Sequence, residues 1–220
     1  KGYQLFSSTF ANRIVAGYAK KQESKPFVEP GQRVSEAIVV MDVCKHSSII
    51  ARLGEGGWVA IVSVFDSIVK EAAAHHGCQY LASRGDGYLA TFPTLQDAMF
   101  AVSSILSRTK AYNEGIEESR RIFLRFSVNH GETIVGPSGE RHGERMNETF
   151  RVDALRGSDV QEWGRGVQGF PQRDYILATE RVYNELRDSK GLDFKLLGVF
   201  ELRGLPGLHR IYEVIPAEKK

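Results

Sequence analysis

The fold is indicated first by one run of sequence, Ala37-Ile38-Val39-Val40-Met41-Asp42. In it, five apolar residues lead directly into a carboxylate. A short apolar run that is rich in β-branched residues predicts a strand buried on both faces. Asp42 would then stand at the carboxyl end of a buried strand, where an unpaired charge is expensive. We therefore expect Asp42 to have a functional role.

A second carboxylate lies in a predicted hairpin. The segment 78–92 is expected to fold back on itself around Arg84-Gly85-Asp86-Gly87, where Asp-Gly would supply the positive φ angles of a tight turn. Asp86 is therefore predicted at the hairpin tip.

The remaining periodicities predict an α+β fold. Helices are predicted at 47–53, 58–75, 97–112 and 179–186, the last capped by Thr179. Strands are predicted at 122–130, 132–136, 148–152, 175–178, 194–202 and 209–214, with a polar loop at 137–146. This order mixes βα and ββ units, and it favours a ferredoxin-like, mixed but mostly antiparallel sheet with helices covering one face.

The chain is organised around one predicted domain. Its 220 residues, of which 42% are hydrophobic, are enough to bury one core. We expect an N-terminal arm over residues 1–33 with a weakly amphipathic stretch at 10–19, the domain itself over 34–215, and a short tail over 216–220.

Charge and cysteine content exclude several classes of partner. The 29 basic and 27 acidic residues are spread along the chain, so no basic face for nucleic acid or a membrane is expected. The two cysteines, Cys44 and Cys78, form no zinc-type pattern with histidine, and no apolar run approaches the ~20 residues of a spanning helix. Because no signal-peptide pattern is present either, we expect a cytoplasmic protein.

Five segments in order along the chain resemble the class III adenylate and guanylate cyclases. Those proteins place one aspartate after the first strand and a second in a Gly-Asp hairpin that continues into Ala-x-Phe. The matching segments are 39–47, 84–92, 126–132, 175–179 and 197–205. The resemblance implies the class III cyclase fold, cyclisation of a nucleoside triphosphate by a phosphorus-oxygen lyase, and a homodimer whose active sites lie between protomers.

The chemistry of that reaction accounts for the two aspartates. Attack of the ribose 3'-hydroxyl on the α-phosphate requires a deprotonated hydroxyl and a neutralised pyrophosphate leaving group, and two divalent ions can do both. The resemblance implies that Asp42 and Asp86 are the catalytic, metal-binding pair. Hard oxygen ligands suit Mg²⁺ or Mn²⁺, two per site, and the family pattern implies that the Val43 carbonyl completes one shell. The following turn would offer backbone N–H groups to the phosphates. Its residues are Cys44, Lys45, His46 and Ser47.

The base-reading half of the family pattern is altered in this chain. Ala82 replaces the lysine that reads adenine four residues before the hairpin aspartate, whereas Thr149 matches a second adenine-reading position. The family's Asp-Ala-Val-Asn-x-x-x-Arg stretch, whose Asn and Arg support the ribose and the transition-state phosphate, aligns with 153–160. There Arg156 and Val160 replace the Asn and the Arg. One of Arg151, Arg156 and Arg165 would substitute for the lost phosphate-binding arginine, with Arg156 as the first candidate; the alternative is that all three lie on a solvated helix face.

Tyr80 and Arg84 indicate a different base. Strand alternation places both on one face with Ala82 and Asp86. The Tyr-x-x-x-Arg segment resembles that of the pyrimidine cyclases of bacterial antiphage Pycsar systems, which make cyclic UMP or cyclic CMP. A long arginine and a tyrosine ring would fill the space that a single-ring base leaves. Guanidinium donors match the carbonyls of uracil, or O2 and N3 of cytosine.

We therefore expect a uridylate cyclase that converts UTP to 3',5'-cyclic UMP and pyrophosphate as a second-messenger generator in antiviral defence. Three alternatives stay open at this point: a cytidylate cyclase, an adenylate cyclase with substituted base readers, and a catalytically silent module for binding or dimerisation.

Overall fold

The computed structural model describes residues 29–216, so most of the predicted arm and tail lie outside the described residues. Four α-helices are present: α1 His46–His75, α2 Leu95–Glu114, α3 Glu144–Asp153 and α4 Glu180–Leu186. The strands are β1 Arg33–Val43, β2 Tyr80–Ser83, β3 Gly87–Phe92, β4 Leu124–Val135, β5 Arg141–His142, β6 Val160–Trp163, β7 Tyr175–Thr179, β8 Leu192–Glu201 and β9 Leu208–Pro216.

The nine strands form one sheet in the order β2-β3-β1-β4-β7-β9-β8-β6, with β5 paired to β4 at the side. Only β4 and β7 run parallel; every other pairing is antiparallel. The expected mixed, mostly antiparallel sheet of an α+β fold is confirmed.

The two faces of β1 are buried against different helices. Ala37, Val39 and Met41 belong to the large core cluster that contains the buried residues of α1, α2 and α4. Ile38 and Val40 point the other way and pack with Met146 of α3. The prediction that helices cover one face is therefore incomplete, because α3 lies on the opposite face.

The prediction of a strand at 148–152 is wrong, since these residues belong to α3. The alternation of polar and apolar side chains suggested a strand. In the structure the buried residues Met146, Thr149 and Val152 recur every three positions and form one face of a helix. The expected loop at 137–146 also contains β5 and the first turn of this helix.

Other differences are local. The two predicted strands at 122–130 and 132–136 are one strand, β4, and β6 had not been predicted. In the hairpin only Gly85 has a positive φ, 88°, whereas Asp86 and Gly87 do not. Thr179 does precede α4, but its hydroxyl donates to the Asn129 side chain rather than capping the helix.

Helix α1 combines the two predicted helices at 47–53 and 58–75, which meet at a kink at Gly54, where φ is 70°. By length and composition alone this helix is apolar enough to cross a membrane, the one such helix within residues 29–216. Ile61, Phe65 and Val69 nevertheless pack into the main core, as the inner face of a core helix does.

Candidate active site

Strand register brings the two predicted aspartates together. Asp42, near the end of β1, pairs with Gly87 of β3, so the preceding residue, Asp86, lies beside it at the hairpin tip. The Val43 N–H donates to the Asp86 carbonyl oxygen at 3.2 Å and ties the two segments together. A side chain at residue 87 would bring its Cβ to 2.3 Å from the Met41 carbonyl oxygen, so glycine is required for this close approach.

Asp42 also faces a cation that the sequence had not indicated. Arg125 of β4 stands directly opposite Asp42 in the β1–β4 register. Its guanidinium forms a part-buried ion pair with one Asp42 carboxylate oxygen, and the other oxygen accepts the Val43 N–H at 2.9 Å. One signal was present in the sequence: an arginine between two apolar residues, Leu124 and Phe126, in the first half of a predicted strand.

Asp153, the last residue of α3, is the third carboxylate in this region. Its Oδ1 lies 3.6 Å from Arg125 Nε. Burial raises the pKa of Asp153, although Arg125 and two further arginines oppose that rise. Burial lowers the pKa of Arg125, but the charges of Asp153 and Asp42 outweigh it and hold that pKa above its ordinary value, so the guanidinium stays charged.

The environment of Asp42 disfavours its ionised form. Burial, together with the charges of Asp86 and Asp153, raises its pKa from 3.8 to about 6, against the opposing effect of Arg125. The site therefore holds more negative charge than Arg125 can neutralise by itself.

The four residues of the predicted phosphate-binding turn have different environments. The Cys44 N–H donates to the Phe123 carbonyl oxygen at 2.8 Å and is already engaged, while Lys45 is the left-handed N-cap of α1, with φ 57°. His46 and Ser47 begin the helix, where backbone N–H groups lack intrahelical acceptors. His46 Nδ1 also lies 2.5 Å from an Asp86 oxygen, which connects this turn to the predicted metal-binding pair.

The predicted base-reading residues lie on the face of the sheet that α3 covers. Tyr80 packs with Phe150 of α3 against the cluster of Ile38 and Val40, whereas Leu81 points to the main core on the other face. The Arg84 guanidinium lies over the Phe150 ring, 4.1 Å from its centroid, and Arg141 lies over the Tyr80 ring at 5.6 Å. Ala82 is half-buried and follows Tyr80 by two residues in β2, so both side chains lie on the same face of the sheet.

Two other predicted residues are engaged elsewhere. Thr149 is fully buried in the inner face of α3, and its hydroxyl donates to the Arg145 carbonyl oxygen at 2.7 Å, a placement that does not support a base-reading role. The Arg156 guanidinium donates to the carbonyl oxygens of Ala154 and Leu155 at 3.0 and 2.8 Å, just after the C-terminal end of α3. This contact does not support a phosphate-binding role.

A different pair fits the Asn-x-x-x-Arg spacing. Asn147 and Arg151 are four residues apart in α3 and lie on its exposed side, where residues i and i+4 are neighbours. Residues 157–163, in contrast, form a short 3₁₀ helix and then β6, so the alignment with Arg156 and Val160 does not place two side chains on one helical face. That alignment followed the match of Asp153-Ala154 to the first two residues of the family stretch.

Comparison with known proteins identifies the fold. No protein-family model matches the chain. A putative adenylate cyclase 3 from Rhizobium meliloti is 24% identical over 119 residues, or 54% of this chain, but the match spans only 20% of that relative. An adenylate/guanylate cyclase/hydrolase structure from Silicibacter pomeroyi superimposes with a TM-score of 0.67, at 22% identity, over 84% of this chain and 98% of that one.

A second structure agrees. The guanylate cyclase domain of RhGC from Catenaria anguillulae, in complex with GTP, gives a TM-score of 0.65 at 16% identity, over 85% of this chain and all of that domain. The chain therefore has the fold of the class III adenylate and guanylate cyclase catalytic domains, as its sequence predicts.

The residues at the site fit the divalent ions that this fold implies. Asp42 and Asp86 supply adjacent hard oxygen donors, and their excess of negative charge is what a cation would offset. Within residues 29–216 there is no group of three or more His, Cys, Asp or Glu side chains arranged around a common metal position. A metal here would therefore rest on the two aspartates and on main-chain or substrate oxygens.

The raised pKa of Asp42 predicts a pH-dependent stability in metal-free protein. Because the folded chain binds this proton more tightly than the unfolded chain, the contribution of Asp42 is largest below pH ~4 and is lost as the pH rises through about 6. Wild type should therefore lose stability relative to Asp42→Asn over this window. Urea unfolding in EDTA at several pH values measures the difference, and a difference that does not vary with pH would contradict the assignment.

Proposed function

We propose that this chain is a nucleotidyl cyclase that converts UTP to 3',5'-cyclic UMP and pyrophosphate. The observation that carries the cyclase assignment is the convergence of Asp42 and Asp86 at one edge of the sheet, enforced by the pairing of Asp42 with Gly87. Metal ions bound by the pair would activate the 3'-hydroxyl and neutralise the leaving pyrophosphate. The first N–H groups of α1 and the His46 side chain face the triphosphate in this arrangement.

The orientation of α3 supports a site shared between two protomers. Successive helical residues are rotated by about 100°, so Arg151 points away from Asp153, which faces its own protomer's Arg125. Asn147 lies on the same exposed side as Arg151. Neither side chain forms a hydrogen bond or ion pair within residues 29–216. We infer that they act on the nucleotide held by the Asp42 and Asp86 of a second copy, where the arginine would stabilise the charge on the transferred phosphate.

The preference for a pyrimidine rests on the region around Phe150. Arg84 stacks on this ring, and Tyr80 packs beside it on the face of the sheet towards which Asp42 also points. Stacking holds the guanidinium plane in one orientation, so its donors are preorganised for the carbonyl oxygens of a base. Uracil offers these carbonyls and cytosine offers O2 and N3, so the arginine alone does not choose between the two bases; UTP is the proposed substrate and CTP its alternative.

The similarity of Tyr80 and Arg84 to the Tyr-x-x-x-Arg segment of the Pycsar cyclases extends the proposal to a role in antiphage signalling. An adenylate cyclase remains the second candidate, because the curated relative has that name. Replacement of the adenine-reading lysine by Ala82 argues against it.

Mixing experiments test the shared site. Asp42→Ala and Arg151→Ala should each abolish turnover, but half of the dimers formed from an equal mixture carry one intact site, so about a quarter of wild-type activity should return. Cyclic nucleotide production by the mixture gives the measurement.

The matched control is a mixture of Asp42→Ala with Asp86→Ala. Both substitutions damage the same half of the site, so this mixture should stay silent. An inactive Asp42→Ala and Arg151→Ala mixture would rule out the shared site, and near-normal turnover by Asp42→Ala alone would rule out its metal-binding role.

Substitution of Arg84 tests base choice. Arg84→Ala leaves the base carbonyls without a charged donor, at a cost of about 1.5–3 kcal/mol. At ~1.4 kcal/mol per tenfold change, kcat/KM for UTP should fall roughly ten- to a hundredfold. Tyr80→Ala should relax discrimination against ATP and GTP, because it enlarges the base pocket. Steady-state kinetics with all four triphosphates measures both effects.

Arg173→Ala is the matched control, since the Arg173 guanidinium also lies over a phenylalanine ring, that of Phe123, at 4.9 Å. It should retain the wild-type preference. An Arg84→Ala enzyme with wild-type rates and wild-type preference would exclude the arginine, and with it the pyrimidine assignment.

A further inference from the structure

Arg125 lies between the carboxylates of Asp42 and Asp153 but forms a close ion pair with Asp42 only. Its Nη2 forms the ion pair with Asp42, whereas its Nε lies 3.6 Å from Asp153 Oδ1, beyond normal hydrogen-bond distance. All three side chains are at least four-fifths shielded from solvent. The guanidinium therefore has a second, incompletely formed partner.

This incomplete contact leaves two polar atoms without partners. Arg125 Nε and Asp153 Oδ1 are both buried, and neither has a hydrogen-bond partner within residues 29–216. Buried donors and acceptors are normally satisfied, and an unsatisfied one carries a desolvation penalty. A small movement of Arg125 towards Asp153 would satisfy both atoms in one step.

The same movement would free Asp42. At present one Asp42 oxygen accepts the Val43 N–H and the other is bonded to Arg125, so a metal ion must compete with the guanidinium. Among the residues that the structure describes, Asp153 is the carboxylate positioned to receive it.

We propose that Arg125 is a relay between the two carboxylates: it neutralises Asp42 in the metal-free chain and transfers to Asp153 when a divalent ion binds Asp42. The relay rests on the proposed function, because it presupposes that Asp42 is a metal ligand. Arg125 and Asp153 are positioning residues and touch neither metal nor nucleotide.

The relay also links metal binding to α3. Asp153 is the last residue of that helix, and Asn147 and Arg151 lie on its outer side. Closing the contact between Arg125 and Asp153 would anchor this end of α3 to the sheet. Metal binding in one protomer would thereby fix the helix that serves the neighbouring site.

A double-mutant cycle tests the relay by measuring Mn²⁺ binding, so it does not depend on enzyme turnover. The whole chain, freed of metal, is titrated with Mn²⁺ alone, and electron paramagnetic resonance of the free aquo ion gives the affinity. Asp153→Asn should weaken Mn²⁺ binding by about tenfold, because Arg125 then has no alternative partner. Arg125→Met should strengthen binding, since the competing cation is gone. In that background the added Asp153→Asn should have little further effect.

The control is Asp174→Asn, which removes another part-buried carboxylate without touching Arg125. Asparagine tolerates the positive φ of residue 174 and can still accept the Leu124 N–H. This variant measures the loss of negative charge alone and should shift Mn²⁺ affinity by much less than Asp153→Asn. If Arg125→Met does not fold, judged by circular dichroism, Arg125→Gln supplies the neutral background.

The outcomes separate the relay from the proposed function. An Asp153→Asn effect that is equal in both backgrounds, or no larger than that of Asp174→Asn, would overturn the relay, and so would weaker Mn²⁺ binding by the neutral Arg125 variant. Wild-type Mn²⁺ binding that survives Asp42→Asn would instead overturn the metal site on which the proposed function depends.

Discussion

The rest of the site depends on the burial of the Asp42 charge at the end of β1. That strand lies inside the sheet, between β3 and β4, so the residues opposite Asp42 are fixed by register. On one side glycine lets the hairpin carrying Asp86 approach closely, and on the other Arg125 supplies a compensating charge. A carboxylate in this position is costly for folding, and burial accordingly raises its pKa to about 6.

This arrangement separates two kinds of residue around the candidate site. Asp42, Asp153 and Arg125 are held by strands and by the end of α3, and they are shielded from solvent. Arg84, Asn147 and Arg151 are exposed. Buried groups can be positioned by one chain, whereas exposed groups need a ligand or a second chain to complete their surroundings. In the proposed enzyme the dimer partner would provide the second chain, and the nucleotide would be the ligand.

Sequence patterns predicted the parts of the structure that depend on local periodicity. The apolar run at β1 and the stripes of α1 and α2 were interpreted correctly because strand and helix periods differ clearly there. The hairpin was placed correctly, but its positive φ belongs to Gly85 and not to Asp86 or Gly87. Helix α3 was missed because its short segment at 148–152 also alternates, and only packing against Ile38 and Val40 reveals its helical face. Only the helical conformation places Asn147 and Arg151 on one exposed face.

Arg125 illustrates a different limit. Its partner Asp42 is 83 residues away along the chain, and they meet only because β1 pairs with β4. No local pattern encodes such a contact. Asp153 is likewise unremarkable at the end of a helix until the sheet places Arg125 beside it. The burial of Asp42 and the charges around it, which together raise its pKa, are thus properties of tertiary structure.

We propose that this chain cyclises a nucleoside triphosphate and prefers UTP. The most direct measurement incubates the purified chain with Mn²⁺ and ATP, GTP, CTP and UTP in separate reactions, and identifies the products by mass spectrometry. We expect 3',5'-cyclic UMP and pyrophosphate from UTP, with less product from CTP and least from the purine nucleotides. Preferential formation of cyclic AMP or cyclic GMP would contradict the assigned base, and the absence of a cyclic product from all four would contradict the enzyme itself.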